Sequence, residues 1–516
     1  MKRVFPFLLV VLLTLPSLGF GGKNAAEDMQ AVNQGDARTQ TILGLKYLQG
    51  KGVKQDYVKA KELFEKAAIQ GDAYGQTFLG NMYYRGRGVK QDYAKAKELF
   101  GKAAIQGDAY GQASLGNMYY RGTGVEQDYA KAKEWIEKAV VQGERHAQMD
   151  LGEMYYEGKG VKQDYAKAKE LFGKAANQGE CYAQAFLGKM YYEGKGVKQD
   201  YVKAKELFEK AANQGERYAQ RSLGNMYYRG RGVKQDYAKA KEWFEKAALQ
   251  GDAYGQASLG YLYLKGLGVK QDYVKAKEWL EKAVNQGNDS AQRFLGEMYY
   301  YGTGVEQDYT KAKEWIEKAA IQGDADGQAV LGAMYYEGRG VKQDYVKAKE
   351  WIEKAANQGH ALSQGSLGGM YFDGEGVNQD YAKAKEWVEK AVVQGDVRAQ
   401  RILGNMYYYG YGVKQDYVRA KELLEKAAVK GDAQAQVILG KMYYEGKGVK
   451  QDFAKAQKWY EKAAIQGDVR AQAFLGVMYF EGKGVRRDYG KAKELFRKAC
   501  NNGFKPACGE KNRERW

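Results

Sequence analysis

Small and hydrophobic residues recur along the chain with a period of 36 residues. The dipeptide Leu-Gly returns at this interval thirteen times, and no insertion or deletion interrupts the count. Its glycines are Gly44, Gly80, Gly116, Gly152, Gly188, Gly224, Gly260, Gly296, Gly332, Gly368, Gly404, Gly440 and Gly476. A fixed period of this length is typical of solenoids, in which each unit buries its apolar face against its neighbours.

Each unit begins with a pattern that predicts an amphipathic helix. In the second unit the helix is predicted over residues 73–85, and Leu79, Met82 and Tyr83 fall on one face of it, together with a small residue at position 75. The equivalent residues are small or apolar in nearly every unit. This face is therefore expected to pack against the neighbouring helices.

A second helix follows after a short turn. Gly86 accepts the left-handed conformation that ends a helix, and Asp92 can cap the next one, which is predicted over residues 93–105. Ala96 and Phe100 belong to its apolar face. The sequence thus predicts an all-α fold, an α/α superhelical solenoid of thirteen 36-residue helix-turn-helix repeats.

The two ends of the chain differ from the repeats between them. We expect a signal peptide at residues 1–21, an N-terminal capping helix at 22–35, the solenoid at 36–503 and a C-terminal cap at 504–516. The last segment begins like another first helix, which the chain does not complete.

The signal peptide is predicted from Lys2 and Arg3, an apolar run over residues 4–18 and the small residues that follow. The alternative of a membrane anchor requires about 20 apolar residues, and the run is shorter. The mature chain is expected to begin near Phe20 or Gly22 and to be periplasmic or secreted. No later stretch is apolar enough for a transmembrane segment.

The chain is basic, with a formal net charge of +18. Removal of Lys2 and Arg3, the only charged residues in the predicted signal peptide, leaves +16. Outside the cytoplasm such a protein meets anionic lipids, cell-wall polymers and acidic proteins. Lysines such as Lys95 and Lys97 recur evenly in the second helices and predict a solvated outer face rather than a nucleic-acid site.

The repeated pattern A-x-x-x-L-G-x-M-Y-x-x-G-x-G-V-x-x-D-Y-x-K-A-x-E-W/L-x-x-K-A-A-x-x-G resembles the Sel-one-like repeat family, which is related to tetratricopeptide repeats. The resemblance extends from about Gly35 to Gly503. It implies a right-handed superhelix whose inner groove is lined mainly by first helices. It also implies scaffold or adaptor roles, with exported bacterial members in envelope assembly, the cell wall or host interaction.

The resemblance also bears on the cysteines. Cysteine-rich exported members of the family carry pairs at the spacing of Cys500 and Cys508, which implies a disulfide between the end of one helix and the start of the next segment. Two free thiols are the alternative. Cys181 is expected to be a free, partly exposed thiol.

The sequence argues against catalysis, a metal site and a cofactor. Some cysteine-rich members are described as β-lactamases, but no serine in the repeats is followed by lysine three positions later, as a serine enzyme of that type needs. The Gly-x-Gly-Val turns follow helices rather than strands and lack a phosphate-loop pattern. His146 and His360, the only histidines, occupy different positions in their units and are expected at the surface.

The variable positions of the first helix predict where binding occurs. Positions 74, 77, 78, 81 and 85 of the second unit, and their equivalents, change from unit to unit and share one face. The predicted binding residues are Tyr74, Asn81, Arg85, Tyr110, Asn117 and Arg121. Asparagine can bond both peptide groups of an extended chain, and arginine can hold a carboxylate through two bonds. Drift on an unused surface is the alternative.

Three functions follow from these observations. The leading hypothesis is an exported scaffold that binds a protein or peptide in the groove of the solenoid. The second is a non-catalytic binder of cell-wall glycan, and the weakest is a hydrolase.

Overall fold

A computed structural model describes residues 35–508, and these residues form 26 α-helices and one short 3-10 helix, without a strand. The helices alternate as the first and second helices of thirteen repeats. The first helices are Ala37–Gln49, Ala73–Arg85, Ala109–Arg121, Arg145–Glu157, Cys181–Glu193, Arg217–Arg229, Ala253–Lys265, Asp289–Tyr301, Ala325–Glu337, Ala361–Asp373, Val397–Tyr409, Ala433–Glu445 and Val469–Glu481. The second helices are Tyr57–Ile69, Tyr93–Ile105, Tyr129–Val141, Tyr165–Asn177, Tyr201–Asn213, Tyr237–Leu249, Tyr273–Val284, Tyr309–Ile321, Tyr345–Asn357, Tyr381–Val393, Tyr417–Val429, Phe453–Ile465 and Tyr489–Asn501.

The helix boundaries follow from caps at both ends. In repeat 2 the carboxylate of Asp72 accepts a hydrogen bond from the Gly75 amide at 2.6 Å, and Gly86 ends the helix with a left-handed φ of 67°. Asp92 caps the second helix through the Lys95 amide at 3.0 Å. The all-helical solenoid and both helix boundaries predicted for this repeat are confirmed.

A glycine in the middle of each first helix brings the two helices of a repeat together. A Cβ atom on Gly80 would lie 2.8 Å from the ring of Phe100, which is buried. Glycine inside a helix costs about 1 kcal/mol relative to alanine. The close approach of the buried aromatic ring offsets that cost, and the same contact recurs with Phe172, Phe208 and their equivalents.

A ladder of glutamine pairs, each with one buried and one exposed member, joins the two helices of a repeat. Gln76 is 5% exposed, and its side-chain oxygen accepts a hydrogen bond at 2.8 Å from the amide of Gln106, at the end of the following second helix. All thirteen repeats carry the first glutamine, and eleven carry the second. Lys430 and Asn502 stand at the two exceptions, and there the buried oxygens of Gln400 and Gln472 have no hydrogen-bond partner. The ladder satisfies polar groups that close packing would otherwise leave unpaired.

The structure divides into two compact units at Gln250 and Gly251. The helices of repeats 1–6 belong to the first unit and those of repeats 7–13 to the second. The predicted signal peptide, and the predicted capping helix apart from Gly35, lie outside the described residues. Within residues 35–508, no helix combines the length and the apolar character that crossing a membrane requires.

A disulfide closes the described C-terminal end. Cys500 and Cys508 are joined, with their Cα atoms 5.0 Å apart. Between them the chain forms a single 3-10 turn at Lys505–Ala507, rather than the start of an α-helix, and Ala507 packs against the buried residues of repeat 13. A closed loop of this size stabilises a fold by about 2–3 kcal/mol on the chain-entropy model.

Candidate functional site

The first unit contains an open groove with a volume of about 1180 Å³. One wall is formed by the C-terminal turns of the first helices in repeats 2, 3 and 4. The other is formed by the N-terminal turns of the first helices in repeats 5 and 6. Four of the six predicted binding residues, Asn81, Arg85, Asn117 and Arg121, lie on the first wall.

Arg85 is a partly buried cation in this groove. Its Nε donates to the side-chain oxygen of Asn81 at 3.3 Å, so the two side chains present their polar atoms to the groove together. Burial lowers the pKa of the Arg85 guanidinium to about 10, and the positive charge of Arg87 acts in the same direction. Tyr182, on the opposite wall, has the opposite effect and raises this pKa. The guanidinium therefore remains charged at neutral pH but has lost part of its hydration.

Asn117 contacts a buried carboxyl group instead, and the charge of Arg121 acts on the same group. The Asn117 amide donates to Asp150 at 2.9 Å, and Asp150 is only 4% exposed. Burial raises the pKa of Asp150 to about 7, while Asn117 and the positive charge of Arg121 oppose this shift. The equivalent residues of repeats 2 and 3 thus face different surroundings, because aspartate follows in repeat 4 where repeat 3 has Ser114.

The two predicted tyrosines lie apart from the large groove. Tyr110 faces a small neighbouring pocket that Asn81 and Arg85 also line. Its ring is 6.3 Å from that of His146, and burial raises the pKa of its hydroxyl. Tyr74 is covered by the guanidinium of Arg38, 4.6 Å above the ring. The six residues therefore form a cluster of four with Tyr110 beside it, and Tyr74 is covered by another side chain.

The surface position expected for His146 is wrong. The residue is 8% exposed, and its Nδ1 lies 3.2 Å from a carboxylate oxygen of Glu180. Burial alone lowers the pKa of His146, but Glu144 and Glu180 outweigh it, so the pKa is raised. His360, by contrast, is partly exposed and caps the first helix of repeat 10 by accepting from the Ser363 amide.

Carboxylates complete the groove and were missed as site residues. Glu153 and Glu157 lie on the wall with the arginines, and Glu216 and Arg217 lie on the opposite wall. Tyr182 also lines that wall. The signal for Glu153 was available, since it occupies the position of Asn81 and Asn117 in repeat 4. The role of Glu216 and Arg217 depends on the curvature of the unit, which the repeat pattern does not specify.

One of the variable positions serves packing rather than the groove. The hydroxyl of Thr77 donates at 2.7 Å to Asp108, the residue that caps the first helix of the next repeat. Thr41 makes the same bond to Asp72, and Arg401 makes it to Asp432. Variation at this position is therefore constrained by the cap that follows.

Neither Cys181 nor the metal-binding residue types of residues 35–508 form a catalytic or metal site. Cys181 is partly exposed at the edge of the groove, and burial raises the pKa of its thiol to about 12, so it stays protonated at neutral pH. Across residues 35–508, no three side chains of histidine, cysteine, aspartate or glutamate are grouped as metal ligands.

Comparison with known families agrees with the geometry of these repeats. The model of the Sel1 repeat matches the chain thirteen times. The matched ranges are 37–72, 73–108, 109–143, 145–180, 181–216, 217–252, 253–288, 289–324, 325–360, 361–396, 397–432, 433–468 and 469–504. The chain belongs to the Sel1 repeat family. Members of this family are typically scaffolds for protein–protein interaction and are generally not catalytic.

Solved structures of Sel1 repeat proteins resemble the chain. The protein c5321, a protective antigen of uropathogenic Escherichia coli with an SLR fold, is 39% identical. The alignment covers 81% of this chain and 90% of that one, with a TM-score of 0.62. A Sel1 repeat protein from Oxalobacter formigenes is 35% identical over 59% of this chain and 88% of its own, with a TM-score of 0.41. A search of curated proteins gave no match.

Proposed function

We propose that this Sel1 repeat protein is an exported, non-catalytic scaffold that binds an extended segment of another protein in the groove of its first unit. The observation that carries the proposal is the pair of arginines, Arg85 and Arg121, on one wall of a groove of about 1180 Å³. An open groove lined by five successive repeats suits a peptide better than a small molecule, which is normally enclosed on most sides.

The electrostatics favour a peptide with an acidic side chain or a free C-terminus near Arg85. The Arg85 guanidinium is already partly desolvated. A bound carboxylate would therefore give it an ionic interaction in place of the hydration that it has lost. Asn81 uses its oxygen to accept from Arg85, which leaves its amide group in place to donate to a peptide carbonyl.

The other groove residues restrict which peptides fit. Glu153 adds negative charge further along the same wall, whereas the carboxylate of Glu157 is paired with Lys159. A bound segment should therefore place its acidic group toward repeat 2 and a neutral or basic residue toward repeat 4. This alternation gives the groove a direction, because a reversed peptide would bring like charges together.

The test is the double variant Arg85→Ala with Arg121→Ala. Partners are first captured from an envelope extract with the wild-type protein. Peptides from the captured protein are then titrated by fluorescence anisotropy. The double variant should weaken binding by about 2 kcal/mol or more, the scale of interface hot spots.

The matched control is Lys95→Ala with Lys97→Ala, on the exposed face of a second helix. This pair should leave the affinity unchanged. The groove would be the wrong surface if the lysine pair abolished binding and the arginine pair did not.

Export is a separate part of the proposal, with a periplasmic or secreted location. It is supported by Lys2, Arg3 and the apolar run that follows them. N-terminal sequencing of the protein from the envelope fraction should give a start near Phe20 or Gly22. An intact Met1 in that fraction would contradict export with cleavage.

A further inference from the structure

Adjacent repeats are joined on the groove side by a polar triad. In repeats 4 and 5, the Tyr156 hydroxyl donates to Glu193 at 3.2 Å, and Lys195 pairs with the same carboxylate at 2.8 Å. The Lys195 ammonium also lies 5.8 Å from the centre of the Tyr156 ring. The same tyrosine, glutamate and cation occur as Tyr300, Glu337 and Arg339, and as Tyr444, Glu481 and Lys483.

Between repeats 10 and 11 all three members of the triad are aromatic. Phe372 replaces the tyrosine and so has no hydroxyl, while Tyr409 replaces the glutamate and Tyr411 replaces the cation. The three substitutions are mutually consistent, since a hydroxyl without its carboxylate would lose its acceptor. Tyr411 is the only aromatic residue at its position in the thirteen repeats.

These residues form an ordered stack with Tyr381. The rings of Tyr381 and Tyr411 are 5.3 Å apart and inclined by 12°, and those of Tyr411 and Tyr409 are 5.4 Å apart and inclined by 24°. Phe372 contacts Tyr411 edge to face at 5.9 Å. We refer to Phe372, Tyr381, Tyr409 and Tyr411 as the aromatic platform.

The aromatic platform is open to solvent. Tyr409 is 44% exposed and Tyr411 is 39% exposed, although both are held in place by their neighbours. Contiguous exposed apolar surface is unusual in a soluble domain and marks sites of interaction. Rings that are ordered before binding also lose little rotamer entropy when a ligand arrives.

The spacing of the rings restricts the ligand. A proline ring cannot enter between parallel rings about 5.3 Å apart, because two ring contacts of normal van der Waals length need about 7 Å. An aromatic cage for a cation needs ring faces that converge on one point, whereas these rings are close to parallel. Their centres are farther apart than two rings in direct face-to-face contact, so the rings are offset and part of each face stays uncovered. The stack therefore offers a stepped aromatic surface and the hydroxyl edges of its rings.

Three charged side chains act on Tyr409, at one end of the stack. Burial raises the pKa of Tyr409, and the charges of Arg470, Glu445 and Lys447 also act on its hydroxyl. Glu445 and Lys447 form an ion pair at 2.8 Å. A carboxylate and two cations beside an aromatic surface match the needs of a sugar, whose ring presents apolar C–H groups on its faces and hydroxyls around its edge.

We propose that the aromatic platform binds a glycan, with a pyranose ring of a β-linked chain lying on Tyr409 and Tyr411 and its hydroxyls bonded by Glu445, Lys447 and Arg470. Equatorially substituted pyranoses fit best, since their axial C–H groups meet the negative face of an aromatic ring. This binding site is independent of the peptide groove in the first unit, because it uses none of the groove residues.

The test is isothermal titration calorimetry of the full chain with a soluble hexamer of β-1,4-linked N-acetylglucosamine. Wild-type protein should bind the hexamer. The double variant Tyr409→Ala with Tyr411→Ala should weaken binding by about tenfold or more, since both stacking rings are lost. The single variant Tyr409→Phe keeps the ring and should retain most of the affinity.

Tyr301→Ala is the matched control. Tyr301 occupies the position of Tyr409 in repeat 8 and is 66% exposed, but Thr303 follows it where Tyr411 stands in repeat 11. This variant should bind the hexamer as the wild type does. Thermal melting, together with hydrogen exchange resolved for repeats 10 and 11, reports whether each variant is folded.

Three results would overturn the proposal. The first is wild-type protein that binds no hexamer, and the second is affinity that the folded double variant retains. The third is a proline decamer that binds the aromatic platform in place of the hexamer. None of them affects the peptide groove, whose own test uses Arg85 and Arg121.

Discussion

The packing face and the groove face of the first helices differ in how much they vary. On the packing face, every repeat has glycine at the position of Gly116 and glutamine at that of Gln76. On the groove face, one position is occupied by Ser114, Asp150 and Phe186 in three successive repeats. The backbone of these helices is nevertheless the same, with helices of 13 residues and similar caps.

The packing face therefore determines the stability of the solenoid, whereas the groove face is available for recognition. Contacts on the packing face recur in every repeat, so a substitution there removes a contact on which the stacking of the repeats depends. Groove residues can change because the caps, glycines and glutamines already determine the helix and its neighbours. The comparison predicts large effects on stability for the first face and smaller or opposite effects for the second.

The largest effect is expected on the packing face, for Gly116→Ala. The added Cβ would lie 2.6 Å from Ile136 and 3.1 Å from the backbone oxygen of Ala132. Overpacking against backbone should destabilise repeat 3 by about 3 kcal/mol. Hydrogen exchange resolved by repeat measures the loss. Gly101→Ala is the control, because Gly101 is helical and has no neighbouring atom within 4 Å, so alanine there should stabilise by up to about 1 kcal/mol.

A smaller effect of opposite sign is expected on the groove face, for Asp150→Asn. The pKa of Asp150 is raised to about 7 from 3.8, so between these values the folded state holds a proton that the unfolded state has released. Folding stability therefore falls as the pH rises through this window, and the full cost remains above it. Asparagine has no such cost and can still accept from Asn117.

The free energy of unfolding of the Asp150→Asn variant should exceed that of the wild type by a margin that grows with pH. Between about pH 5.5 and about pH 8 this margin should increase by about 2 kcal/mol. Melting curves of both proteins at several pH values measure the difference. A wild-type stability that does not fall over this range would show that Asp150 is ionised in the folded protein.

The smallest effect is expected where the glutamine ladder is interrupted. Lys430 donates to the Gly395 carbonyl at 3.0 Å but leaves the buried oxygen of Gln400 without a donor. Lys430→Gln should supply both bonds, as Gln142 does in repeat 3, and stabilise by about 1 kcal/mol. Thermal melting detects the gain. Lys430→Ala, which removes the existing bond, should destabilise; equal melting of all three proteins would contradict the role given to the ladder.

The sequence predicted the helices well because their boundaries depend on local chemistry. Asp72, Gly86 and Asp92 act on residues at most four positions away, so the pattern within one repeat was sufficient. The burial of His146 and Asp150 was not predicted, because it depends on how neighbouring repeats curve around repeat 4. The glutamine ladder was overlooked although its residues were visible at a spacing of 30, since a polar residue in a helix is usually exposed.

The glutamine ladder also has a mechanical consequence. Each glutamine–glutamine bond joins the two helices of one repeat. In several repeats the second glutamine also donates to a carbonyl of the preceding repeat, as Gln142 does to Gly107 at 2.9 Å and Gln178 does to Gly143 at 3.1 Å, and so ties one repeat to the next. A pulling force along the chain is then resisted by one set of bonds at a time, and the loss of one repeat leaves the bonds of more distant repeats intact. Each step frees 36 residues, which is about 120 Å of extended chain. Under a pulling force the molecule should therefore unfold one repeat at a time and lengthen in equal steps.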